Sequence, residues 1–302
     1  MSEQTNELVI NSRDTELAVA PSTGKITRLT LRGEQLLVLP LAHEKERALS
    51  SEKRDAFESL DAWGADECFP TVAGSALWNV RDHGDIWART PDVFYGNKGQ
   101  CFTGWQVNDH QFKRTISALT ATERQKVLGI FQFDVRFPSQ LALIQANGSV
   151  SCNLNLVSAY ASHALFAAEP GDTIEWSVLP TVADLQSALQ KNVTQQLLSA
   201  RTFAPNDQPV ASKFYMKTDS EKIFMTSLIR RRARLRIDVL QDASLPWLGI
   251  WWCHNGWGDG RPHSTVGIEP TNIPSDGPVL SCSGAEAGSE LSARFSWIIS
   301  EA

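Results

Sequence analysis

The chain has 302 residues, 42% hydrophobic and 21% charged, with 28 Lys+Arg against 34 Asp+Glu for a net charge of −6. This excludes global disorder, which needs lower hydrophobicity and a larger charge imbalance, and argues against a nucleic-acid partner, which would need a basic excess to displace counterions. No run approaches 18 apolar residues, so no membrane span is expected, and the polar start from Met1 to Asn6 is unlike a secretory signal; the expectation is one soluble, cytoplasmic domain over 1–302.

The hydrophobic pattern is mostly of period two, the signature of half-buried strands. Residues 7–20 read as one strand, followed by the turn Pro21-Ser22-Thr23-Gly24, a second strand from Lys25 to Gly33 and the apolar run 35–41. The charged stretch 43–60 fits a short helix or a surface loop. Residues 61–105, dense in Gly, Pro, Asp and Trp, lack alternation, and so long an irregular stretch in a compact domain with this aromatic content points to function. Two strands are expected within 112–137. A hairpin follows over 141–158, with Asn147-Gly148 as a tight turn having both central residues at positive φ. A helix is expected over 181–200, alternation returns over 222–240, and the chain closes with a strand over 290–300. The arginines at 230, 231, 232, 234 and 236 fit an anion site or, better by their spacing, the solvated face of a sheet. The consistent architecture is all-β, a large antiparallel sandwich.

Five scattered cysteines without a C-x-x-C pair suit reduced thiols rather than a disulfide frame or a zinc site. Ten tryptophans stand against three tyrosines. An indole is usually core, but its face also matches the C–H face of a sugar ring and its N–H can donate.

Three segments set ionisable residues among apolar or glycine neighbours: Asp82-His83-Gly84, Ser162-His163-Ala164-Leu165-Phe166 and Glu269-Pro270-Thr271. Taken singly, His83 could be a turn residue, His163 a satisfied buried histidine and Glu269 a loop cap. Taken together with Asp66-Glu67-Cys68-Phe69-Pro70-Thr71 and Gly284-Ala285-Glu286, they resemble, in order and spacing, the aldose 1-epimerase (galactose mutarotase-like) family. Eighty residues separate His83 from His163, and 106 separate His163 from Glu269.

The resemblance implies a β supersandwich of antiparallel sheets and interconversion of the α and β anomers of a sugar. That reaction opens the hemiacetal ring by removing a proton from the C1 hydroxyl and protonating the ring oxygen, and needs neither metal nor redox cofactor. By resemblance Glu269 is the base, His163 the acid and His83 a second histidine near the ring oxygen. Asp66, Glu67 and Arg89 are candidates for binding the sugar's polar groups, with Trp252 or Trp87 stacking on the ring and His254 as a further polar contact. The family's early glycine- and arginine-rich motif is missing. The acidic Asp66-Glu67 stands where the hexose-6-phosphate epimerases of the same superfamily carry a phosphate-holding segment, which favours an unphosphorylated sugar. Hexose-6-phosphate 1-epimerisation remains an alternative, as do a non-catalytic sugar-binding protein and a lyase acting through Tyr95 or Tyr160.

Overall fold

The structure is a computed structural model that describes residues 7–40, 63–73, 91–96, 99–107, 110–120, 126–176, 181–182, 210–218, 223–255, 264–282 and 288–302. Among the described residues there is no helix, and 21 strands form three sheets. In chain order they begin with β1 (Leu8–Ser12), β2 (Thr15–Val19), β3 (Ile26–Leu31), β4 (Glu34–Gln35), β5 (Ala65–Cys68), β6 (Asp92–Gly96) and β7 (Gln100–Val107). They continue with β8 (His110–Leu119), β9 (Val127–Pro138), β10 (Gln140–Ile144), β11 (Val150–Val157), β12 (Ala161–Ala167), β13 (Thr173–Trp176) and β14 (Thr181–Val182). The last are β15 (Val210–Lys217), β16 (Phe224–Arg230), β17 (Leu235–Gln241), β18 (Trp247–His254), β19 (Ser264–Thr271), β20 (Val279–Ser281) and β21 (Glu290–Glu301).

The ten-stranded sheet runs β1-β2-β3-β5-β12-β19-β18-β15-β14, with β4 paired to β3. The eight-stranded sheet runs β13-β16-β17-β21-β9-β8-β7-β6, and β10, β11 and β20 form a small third sheet. Pairings are antiparallel throughout. The alternation expected from the sequence is plain in β17, where Leu235, Ile237, Val239 and Gln241 are buried and the residues between them only half so.

One apolar core lies between the two large sheets. Phe166 of β12 meets Trp297 of β21 edge to face at 5.4 Å, and Phe133 stacks on Phe295 at 4.5 Å. Each such side chain, fully buried, contributes about 1.5–3 kcal/mol. A buried ion pair crosses the same layer. Arg114 of β8 reaches Glu67 of β5 at 3.1 Å and donates to the Gly24 carbonyl at 2.5 Å, while the Tyr160 hydroxyl donates to the other Glu67 oxygen at 2.7 Å. Burial raises the Glu67 carboxyl above its ordinary range, against the pull of Arg114.

Several expectations change. Residues 7–20 are two strands, because Arg13 adopts a left-handed conformation (φ 52°) and turns the chain into a β1–β2 hairpin. Residues 222–240 likewise split around the turn 231–234, with Arg234 at φ 52°. The arginines therefore divide. Arg230 is buried beside Glu34, Glu169 and Asp172, three others sit in the turn, and Arg236 pairs with Asp238. In the 141–158 hairpin only Gly148 has positive φ; Asn147 instead accepts from the Ser149 amide and hydroxyl, and Gln145 N–H closes the loop onto Ser149. Within 61–105, residues 65–68, 92–96 and 100–105 are strand rather than irregular. Of the expected helix over 181–200, residues 181–182 form β14; the rest of it and the charged stretch 43–60 lie outside the described residues. Cys68, Cys101, Cys253 and Cys282 are free thiols.

Candidate active site

Strand alternation builds the site. Residues directly opposite on antiparallel neighbours share a face, and successive residues along a strand alternate between faces. β5 sets Asp66 opposite His163 of β12. The β12–β19 register, bracketed by Ala161↔Thr271 and Ala164↔Ile268, sets His163 opposite Glu269. β18 brings Gly249 opposite Glu269, and β15 brings Tyr215 opposite Gly249. One row across five adjacent strands therefore reads Asp66, His163, Glu269, Gly249, Tyr215. The alternate positions Ala164, Ile268, Ile250 and Phe214 belong to the intersheet core, so the row occupies the other face of the ten-stranded sheet.

His163 Nε2 stands 3.3 Å from Glu269 Oε1, and Lys213 Nζ stands 2.8 Å from Oε2. The same ammonium is 2.8 Å from Asp276 Oδ1, an oxygen that also accepts from the Tyr215 hydroxyl. At the opposite end Lys25 pairs with Asp66 and lies 4.6 Å over the Trp63 ring. The His163 and Trp251 ring centroids are 6.1 Å apart. Small apolar clusters border the row on both sides: Leu165, Trp251 and Cys253 with Val38 along one, Cys68, Val72 and Ala161 along the other.

Glu269 is 0% exposed and His163 4%. Burial lifts the Glu269 carboxyl above its usual range, with Lys213 opposing the rise and Asp276 adding to it. Burial disfavours the charged form of Lys213, but Glu269, Tyr215 and Asp276 outweigh it and hold the ammonium well above the ordinary lysine value. The carboxylate lies over two positions without side chains. A Cβ on Gly267 would come 2.9 Å from Oε1, and one on Gly249 would come 3.2 Å from Oε2. Neither glycine has positive φ, so each is there for room rather than for backbone freedom. The product is a carboxylate and an imidazole in mutual contact on one face, two groups capable of general acid–base chemistry.

No family model matches the chain, and no curated protein matches it by sequence. Solved structures match it along almost its whole length. A galactose mutarotase related enzyme from Lactobacillus acidophilus superposes with a TM-score of 0.60 at 12% identity, covering 98% of this chain and 97% of that one. A candidate aldose 1-epimerase from Escherichia coli K12 does so at 0.65 and 10%, covering 98% and 99%. This chain has the galactose mutarotase-like fold. A third match, the Slr1438 protein from Synechocystis sp. PCC 6803, gives 0.63 at 12%, covering 99% and 97%. At such identities the likeness is one of fold.

On this galactose mutarotase-like frame Asp66, His163 and Glu269 come together, and other residues taken from the sequence do not join them. Glu67 follows Asp66 directly, so alternation turns it into the core, where Arg114 and Tyr160 hold it. Trp252 is likewise a core residue, and Trp251 is the indole beside His163. His254 shares the face of Trp252 at the end of β18, with Nδ1 2.6 Å from Ser264 Oγ. These placements set Glu67, Trp252 and His254 apart from the row of Asp66, His163 and Glu269. His83, Trp87, Arg89 and the segment Gly284-Ala285-Glu286 lie outside the described residues. Sequence reasoning missed Lys213, Asp276, Tyr215 and Lys25. Lys213 and Tyr215 sit at alternate positions of S-K-F-Y-M-K, a face-sharing signal, but only the β15–β18 register carries that face to Glu269.

Proposed function

We propose that the chain is an aldose 1-epimerase of a neutral sugar, with Glu269 as base and His163 as acid. One observation carries the reading: His163 and Glu269 face each other on neighbouring strands of a galactose mutarotase-like fold, 3.3 Å apart. The two oxygens they must serve, the C1 hydroxyl and the ring oxygen, are bonded to one carbon, so the acid and base acting on them must also be close neighbours. Glu269 takes the hydroxyl proton as the C1–ring oxygen bond breaks, and the imidazolium of His163 protonates the departing oxygen. The aldehyde turns about C1–C2, and the reverse transfers close the ring on the other face. His83 keeps its proposed part as the second histidine, and Trp251 replaces Trp252 as the proposed apolar wall. Lys25 and Lys213 each already face a carboxylate, which supports a neutral sugar over a phosphorylated one.

The test is anomer exchange, followed by NMR and polarimetry on freshly dissolved galactose, glucose, other aldoses and glucose 6-phosphate. Glu269→Gln should lower the rate by about 10²–10⁴-fold, the usual worth of one acid–base group, without loss of fold. Near-wild-type exchange in that variant would refute the assignment. A non-catalytic sugar-binding protein is the second reading, favoured by one feature: Lys213 occupies Oε2 of Glu269. Saturable sugar binding without faster exchange would select it.

A further inference from the structure

Glu269 is a fully buried carboxylate on bare backbone, and such a group takes up a proton at neutral pH unless a cation holds it ionised. The cation available is not a sequence neighbour. Lys213 belongs to β15, two strands from β19, and β18 runs between them. Strands lie ~4.8 Å apart, so its side chain has to cross β18 to reach Glu269. In the register Lys213 lies opposite Trp251, and Gly249, the β18 residue opposite both Glu269 and Tyr215, adds no side chain beside the carboxylate; its Cβ would stand 3.2 Å from Glu269 Oε2 and 3.3 Å from the Tyr215 ring. At the end of this reach Lys213 Nζ is 2.8 Å from Glu269 Oε2 and 2.8 Å from Asp276 Oδ1. Asp276 is itself tied by the Tyr215 hydroxyl, and the Tyr215 ring centroid lies 5.6 Å from the ammonium.

We propose that Lys213, anchored by Asp276 and Tyr215, is a positioning residue that keeps Glu269 ionised and turns its Oε1 towards His163. The inference rests on the epimerase reading for its consequence in turnover, but not for its electrostatics. Lys213 stands 2.8 Å from Oε2, while Oε1 is the oxygen 3.3 Å from the imidazole. Other groups near Glu269 also bear on its charge: His163 from β12, Asp276 after β19 and Tyr215 from β15, with Asp66, Cys68 and Lys25 beyond His163. Among the described residues the direct contacts of the Glu269 carboxylate with basic groups are His163, the proton carrier of the proposed reaction, and Lys213, whose ammonium stays charged throughout. A base works only when ionised, so removing Lys213 should move the acid limb of activity to higher pH. Above that limb, turnover should partly recover.

The experiment titrates Glu269 directly by carboxyl ¹³C NMR on glutamate-labelled protein, its signal assigned by its loss in Glu269→Gln. The pH profile of kcat/KM for anomer exchange is measured in parallel. Lys213→Met should raise the Glu269 midpoint by about one pH unit or more, the effect of losing one adjacent opposite charge. The activity limb should follow. Lys213→Arg should restore most of both. Lys213→Gln, which keeps a hydrogen bond without charge, serves if Lys213→Met does not fold, and should behave as Lys213→Met does. An unmoved midpoint in a folded, uncharged variant overturns the proposal whatever the activity. A moved midpoint in a protein that exchanges no sugar's anomers upholds the Lys213–Glu269 coupling and removes the epimerase reading instead.

Discussion

Gly267→Ala adds one methyl group beneath the Glu269 carboxylate, the proposed base. The new Cβ would stand 2.9 Å from Glu269 Oε1 and 3.0 Å from Trp251 Cβ, with Leu165 Cδ2 behind at 3.6 Å. Trp251 Cβ is fixed to its strand, so the relief must come from the carboxylate, which is pinned between His163 and Lys213. Restoring ordinary contact takes about half an ångström. Overpacking of this kind costs about 1–3 kcal/mol of stability, read as a lower urea midpoint. A misplacement of ~1 Å at a reacting group costs about 10²-fold, so half of that predicts about a tenfold loss in kcat/KM. Gly249→Ala meets Glu269 only at 3.2 and 3.3 Å, and on the Oε2 side. Its loss should be smaller and should come with a disturbed Lys213 contact. Polarimetric anomer exchange beside urea titration reads both quantities. If Gly267→Ala loses stability as expected while kcat/KM stays at the wild-type value, Oε1 is not where the proton is taken, and the reasoning fails.

Two further outcomes concern residues that alternation turned away from the row. Arg114→Met leaves Glu67 buried without its cation and should cost about 3–5 kcal/mol in chemical denaturation, whereas Arg114→Met with Glu67→Gln should recover most of it; equal losses in the single and double variants would contradict a buried pair. Trp252→Ala should cost about 3–5 kcal/mol as a core truncation with little effect on sugar KM. Trp251→Ala should show the reverse balance, and a KM effect confined to Trp252→Ala would reverse the assignment of faces.

The strands were legible in the sequence because a half-buried sheet imposes period two on residues such as 235–241. The breaks between them were not. Arg13 and Arg234 turn the chain in the left-handed region without a glycine to announce it, so 7–20 and 222–240 each read as one run. His163 and Glu269 stand out in the sequence through their apolar settings and the resemblance to a known order of motifs, and the register brings them together. The separation of Glu67 and Trp252 from the row has one cause. Asp66-Glu67 and Trp251-Trp252 are adjacent pairs of like residues, and only the register says which member of each faces the site. Lys213 was invisible for a stronger reason: its contact with Glu269 spans two strand pairings and a missing side chain at Gly249, and none of these is a local property of sequence.

The same row supplies a physical reason for a neutral substrate. Lys25 and Asp66 cancel, as do Lys213 and Asp276, which leaves His163 and Glu269 as the pair that changes. With His163 as imidazolium and Glu269 as carboxylate, the row sums to zero. After ring opening, when the proton has left His163 for the ring oxygen and another has passed from the C1 hydroxyl to Glu269, both are neutral and the row again sums to zero. On the proposed mechanism the buried face therefore never holds a net charge while protons pass through the sugar, and the cost of creating one in a poorly solvated region is avoided. Lys213 beside Glu269 favours the charged, pre-reaction carboxylate. A phosphate dianion brought to this face would break the balance, because both cations are already engaged by carboxylates. Glucose 6-phosphate should therefore show a kcat/KM well below that of the best neutral aldose, and a preference for the phosphorylated sugar would mean that cations other than Lys25 and Lys213 serve the site.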